Sequence, residues 1–102
     1  MRDPLDDLFF RTGNFDLDKR LHHLAAMSDP TTRYSAPGPL QTWLEGVVGH
    51  IEALPIQMQR DLGLDDFKIG NDHFRWNAWQ IEQWHKNRCT SLRDGLRRLA
   101  VP

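Results

Sequence analysis

The chain has little of what would tie it to an oxidising compartment or to a membrane. Its 102 residues include a single cysteine, Cys89, so no internal disulfide can form and a reducing environment is expected. The segment 1–4 lacks the basic and apolar regions of a signal peptide, and no apolar run approaches the ~20 residues of a membrane span. We therefore expect a cytoplasmic protein without a membrane partner, and we class it as a small bacterial or phage protein.

Motifs for catalysis, phosphate binding and metal binding are also missing. The sequence contains no Gly-rich phosphate loop, no G-x-S-x-G and no C-x-x-C. An acidic cluster near the N-terminus has no calcium-loop spacing and fits the chemistry of helix starts; its members are Asp3, Asp6, Asp7, Asp16 and Asp18. We expect no enzymatic activity, no cofactor and no metal.

Strand signals are scarce, whereas helix signals recur along the chain. There is one tyrosine, and no segment alternates apolar and polar residues with the β-branched enrichment of a strand. Apolar residues instead return every three or four positions. We predict an all-α fold: a compact bundle of four to five helices with a long C-terminal amphipathic helix. The 102 residues form one domain, with an N-terminal helical segment (1–27), a Pro-rich loop (28–39) and a main helical core (40–102).

Cap and breaker residues bound the predicted helices. In chain order they are a short helix that Asp3 caps, a helix over 16–27, a helix from Pro39 or Leu40 to Leu54, a short helix over 56–62 that Gly63 ends, and a last helix that Asn71 or Asp72 caps.

The last predicted helix has two different sides. At about 100° per residue, one side is an apolar stripe that faces the core, formed by Phe74, Ala78, Ile81, His85, Cys89, Leu92, Leu96 and Leu99. The opposite side carries Trp76 and Trp79 among cationic residues. Residues 71–102 hold six Lys and Arg against three acidic residues, whereas residues 1–70 hold seven against eleven.

This outer side predicts a partner surface, unless the N-terminal helices cover the tryptophans. Tryptophan and arginine are enriched at the hot spots of protein interfaces. We interpret the chain as a small non-enzymatic protein-binding module: an adaptor, an inhibitor or an accessory subunit of a larger complex. The predicted contact residues are Trp76, Trp79, Gln83, Lys86 and Arg75. Association with a second copy of the chain is a further alternative for the partner.

A nucleic-acid-binding module is the alternative function. Cations would neutralise phosphates while a tryptophan stacks on an unpaired base. The candidate residues are Arg75, Lys86, Arg93 and Arg97. The net charge of −1 weighs against this alternative, because dedicated nucleic-acid binders are usually basic.

His85 and Cys89 lie four residues apart on the apolar stripe. Such a pair can ligate zinc, or can act as a nucleophile and its base. A zinc site needs two more ligands, and no other histidine has a suitable spacing. We interpret both residues as part of the core.

Overall fold

Helix α1 (Phe15–Met27) begins where the sequence places an asparagine before an apolar stripe. Asn14 Oδ1 accepts hydrogen bonds from the backbone N–H groups of Asp16 and Leu17 at 2.9 and 3.3 Å, which caps the helix. The structure is a computed structural model that describes residue 10 and residues 12–100. The helix predicted to begin at Asp3 falls largely on residues 1–9 and 11, outside the described residues.

Helix α2 (Pro37–Glu52) starts two residues earlier than predicted. Pro37 occupies the first turn, where a missing backbone N–H costs no helical hydrogen bond and the fixed φ favours the helix. The buried side of α2 is the apolar stripe that the sequence predicts, and it consists of Leu40, Trp43, Leu44, Val47 and Ile51.

Three short helical elements connect α2 to the last helix. Helix α3 (Ile56–Asp61) is followed by Leu62 and Gly63, and the φ of +70° at Gly63 is readily adopted only by glycine. Two single-turn 3-10 helices follow, Leu64–Phe67 and Asn71–Arg75. Phe67 and Leu64 are buried, so this connection covers one end of the core.

The last helix, α4 (Ala78–Leu99), starts later than predicted. Neither Asn71 nor Asp72 caps it; both belong to the 3-10 helix, after which the backbone of Trp76 is extended with ψ 146°. Asn77 is the cap: its side chain accepts from the N–H of Gln80 at 2.8 Å, and the Gln80 side chain accepts from the N–H of Asn77 at 2.9 Å. The helix therefore has 22 residues rather than nearly thirty.

Helices α1, α2 and α4 enclose the core, and Gly95 allows close packing. A Cβ atom at Gly95 would lie 3.1 Å from the backbone oxygen of Asp61, which cannot move aside easily, whereas one at Gly46 would meet only the flexible end of Met27, with Cε 2.9 Å away. The radius of gyration is 13.7 Å, near the ~13 Å of a compact 100-residue domain. The predicted all-α class is confirmed: residues 12–100 contain helices and no strands.

None of the helices in the described part of the chain is both long enough and apolar enough to cross a membrane.

Candidate functional site

Trp79 lies in the first turn of α4 and is the most exposed tryptophan of the described residues. Its side chain is 67% exposed, although an indole buries a large apolar area when it packs. The capping box of Asn77 and Gln80 fixes the start of the helix just beside it. The structure thus holds this ring at a defined position in solvent, a point that the sequence left open.

Gln83 and Lys86 follow Trp79 on the same side of α4. At about 100° per residue the three positions fall within about 60° of each other. We call these three residues, Trp79, Gln83 and Lys86, the α4 outer face. Lys86 is exposed and Gln83 is half-buried, so the face combines an aromatic ring, an amide and a cation.

The α4 outer face borders a groove that the sequence does not reveal. Gln83 and Lys86 form one wall, and Pro30, Thr31 and Arg33 of the Pro-rich loop form the other, around a volume of about 380 Å³. Arg33 reaches across to Glu82 with an N–O distance of 3.4 Å. Contacts between elements this far apart in sequence have no local signal, so only the folded chain shows that the loop belongs to the site.

Contacts with the core hold this loop in place. Tyr34 packs edge-on against His85, with ring centroids 4.6 Å apart. Just before the loop, Trp43 Nε1 donates to the backbone oxygen of Met27 at 2.8 Å, and Arg93 Nη1 donates to that of Ser28 at 3.4 Å. The groove therefore has two walls that are both fixed to the body of the fold.

Trp76 does not lie on the outer side of α4, which corrects the sequence prediction. It precedes the helix, is half-buried, and packs against the core with its ring centroid 5.9 Å from that of Trp84. Trp84 in turn contacts Trp43 at 6.2 Å. Because residues 71–77 are not part of α4, the helical angle assigned to Trp76 was wrong.

The same misplaced helix start affects Phe74 and Arg75. Phe74 was expected in the core stripe but is 54% exposed, with its ring lying 4.1 Å from that of His73. Arg75 is exposed at the end of the 3-10 helix, so it does not share a helical face with Lys86. The structure brings Trp79, Gln83 and Lys86 together on one side of α4. Trp76 and Arg75 lie before the helix begins and are not part of that side.

Two of the cations that the nucleic-acid alternative relies on interact within the chain. Arg97 Nη1 lies 2.9 Å from Asp94 Oδ1 one turn earlier. Arg93 is half-buried and points towards the loop, where it donates to the Ser28 oxygen. The positive charge along α4 is thus partly neutralised or turned inward, so fewer cationic side chains are available to contact a phosphate backbone.

His85 and Cys89 lie in the core, as the sequence predicts. They are 1% and 0% exposed, and Cys89 Sγ is 3.4 Å from His85 Nε2. The pKa of the Cys89 thiol is raised to about 12, first by burial and then by nearby Asp29, with Arg93 acting in the opposite direction. Burial lowers the pKa of His85, against a smaller opposite effect of Asp29. Within residues 12–100, no group of three or more His, Cys, Asp or Glu side chains is placed to hold a metal ion.

Comparison of the chain with protein-family models, with curated proteins and with solved structures finds no match.

Proposed function

We propose that this chain is a non-enzymatic protein-binding module that contacts its partner through the α4 outer face. The observation that carries the proposal is the exposed Trp79, held by a capping box beside a groove with two fixed walls. A tryptophan exposed in this way leaves a large apolar area in water, and its burial in a partner's pocket is favourable. A preorganised surface also loses little conformational entropy when it binds.

The chemistry of the groove indicates what a partner must supply. Trp79 needs an apolar pocket, and exposed Lys86 needs a carboxylate or a backbone oxygen near the rim. Glu82 is already paired with Arg33 and so adds little negative charge to this surface. An adaptor, an inhibitor and an accessory subunit all fit this description, because each acts by occupying a partner's surface.

The proposal is tested by comparing retention of proteins from an extract of the source cells on wild-type protein, on Trp79→Ala and on Phe15→Ala. Phe15 is 79% exposed at the start of α1, so it controls for loss of an exposed aromatic ring away from the groove. We expect a partner protein that is retained by wild-type protein and by Phe15→Ala. In a titration with the purified partner, Trp79→Ala should bind at least roughly 30-fold more weakly than wild type, which is the cost of losing a hot-spot tryptophan. Equal retention by both variants would contradict the proposal.

The nucleic-acid alternative remains a prediction with its own measurement. Gel-shift titrations at low salt should show affinity that falls steeply as salt rises if Arg75, Lys86, Arg93 and Arg97 bind phosphates. The ion pair of Arg97 and the inward orientation of Arg93 favour the protein partner instead.

A further inference from the structure

A second cluster of functional groups lies between α1 and α2, apart from the α4 outer face. The two helices pack against each other. Arg20 Nη1 lies 3.4 Å from His50 Nδ1, and the rings of His23 and His50 meet edge to face with centroids 5.4 Å apart. Three groups able to carry positive charge thus meet at one point, from both helices.

The hydrogen-bonding roles within this cluster follow from its chemistry. A guanidinium group only donates, so His50 Nδ1 must accept from Arg20 and the ring proton of His50 is on Nε2. The cluster therefore keeps further N–H donors: the remaining N–H groups of Arg20 and Nε2–H of His50. His23 is exposed and adds the N–H of its own imidazole.

Within residue 10 and residues 12–100, no carboxylate forms an ion pair with Arg20, His23 or His50. The pKa of His50 is lowered, first by burial and then by the nearby positive charges of His23 and Arg20. The same repulsion disfavours a metal cation at the two imidazoles. An anion supplies a countercharge, and it strengthens each donor by making its hydrogen bond charge-assisted.

We propose that Arg20, His23 and His50 form a binding site for a phosphate group, either free inorganic phosphate or a phosphate monoester on a phosphorylated peptide. The Arg20 fork matches the geometry of phosphate oxygens, and two imidazoles complete a set of donors from two helices. The site lies on the α1–α2 side and is independent of the partner surface of α4.

The test is a titration of wild-type protein with inorganic phosphate near neutral pH, followed through the imidazole ¹⁵N and ¹H signals at constant ionic strength set with chloride. We expect saturable shifts at His23 and His50, and binding about tenfold weaker in Arg20→Gln because one charge-assisted interaction is lost. Arg60→Gln, which removes an exposed arginine of α3, serves as the matched control and should bind like wild type. A second arm uses a phosphoserine peptide and its unphosphorylated form.

The outcomes separate the proposal from simple charge screening. Tighter binding of the phosphopeptide than of inorganic phosphate assigns the site to phosphorylated side chains, and the reverse order assigns it to the free anion; both support the site. Linear shifts, or shifts of equal size in Arg20→Gln and wild type, overturn it. Arg20→Lys and His50→Gln are two further variants, each checked by circular dichroism so that a loss of binding is not mistaken for misfolding. If either variant is folded and binds phosphate with wild-type affinity, the proposal is also overturned.

Discussion

Cys89 shows how burial decides what a reactive side chain can do. Nucleophilic and metal-binding cysteines act as thiolates, which form in exposed or electropositive surroundings. Cys89 is instead fully buried, and its pKa is raised to about 12 mainly by burial, with Asp29 acting in the same direction. Its neighbour His85 has a lowered pKa for the same first reason and is a poor partner for a thiolate. The pair is packed in the core, where the thiol contacts the imidazole of His85 and the backbone oxygen of Asp29.

This environment predicts that native protein resists alkylation at Cys89. Iodoacetamide reacts with thiolate, so a buried thiol with a raised pKa should react only when the fold opens. Mass spectrometry should find little labelling at mildly alkaline pH, and rapid labelling in denaturant. The control is Thr90→Cys in a Cys89→Ser background, since Thr90 is the adjacent exposed position of α4. Native labelling of Cys89 as fast as that of the control cysteine would show that the thiol is accessible.

At the scale of single elements, the start of α4 decides which side chains reach the surface. The apolar period that begins at Phe74 continues smoothly into α4, and Asn71 and Asp72 are both good cap residues, so the sequence supports an early start. The competing signal is Asn77 followed three residues later by Gln80, the spacing of a capping box. The capping box determines the start of the helix, and a 3-10 turn takes the residues before it.

The same reasoning separates what the sequence predicts well from what it does not. From Ile81 to Leu96 the predicted stripe is correct: Ile81, His85, Cys89, Leu92 and Leu96 are buried. At the two ends of α4 it is not, because Ala78 is exposed and Leu99 is only half-buried. Trp79, Gln83 and Lys86 keep their predicted side because they lie within α4. Trp76 and Phe74 were misplaced because their helical angles assumed a helix that does not extend to them. The loop wall of the groove depends on contacts between distant residues, which periodicity does not encode.

The identity of the cap is tested by a pair of asparagine substitutions. Asn77→Ala should destabilise the fold by about 1 kcal/mol, because it leaves the N–H of Gln80 without its side-chain acceptor. Asn71→Ala should change stability by no more than a few tenths of a kcal/mol, since Asn71 is exposed and does not cap α4. Urea unfolding of both variants measures the difference. Equal destabilisation by the two substitutions would instead support a helix that starts near Asn71.

At the scale of the whole molecule, an aromatic cluster around His85 connects the helices. Trp43 of α2 contacts Tyr34 of the loop at 6.4 Å, Trp84 of α4 at 6.2 Å and His85 at 4.6 Å between ring centroids. Tyr34 completes the contact on the other side of His85. His85 thus lies where α2, α4 and the loop wall of the groove meet, so its charge state matters for the fold and for the groove together.

A lowered histidine pKa in the folded chain makes stability depend on pH. Above about pH 6.5, the pKa of a histidine in an unfolded chain, His85 is neutral in both the folded and the unfolded state. Its titration then takes nothing from the stability of the fold. As pH falls below that value the unfolded chain binds a proton that the folded chain resists, so stability is lost down to the folded pKa. Asp29 partly opposes this shift, while Cys89 and Tyr34, whose pKa values are both raised by burial, stay neutral in this range. His50, with a lowered pKa, contributes in the same direction.

We therefore expect the urea midpoint of wild-type protein to fall between pH 7.5 and pH 5.5, and to fall less in His85→Gln. The slope with pH is the informative quantity, because His85→Gln also lowers stability at every pH by disturbing the contacts with Tyr34 and Trp43. His22→Gln is the matched control for the loss of one imidazole: His22 is an exposed histidine on α1, outside this aromatic cluster. A slope in His85→Gln as steep as in wild type would place the proton uptake elsewhere in the chain. A reduced slope would show that the buried imidazole makes the fold sensitive to acid.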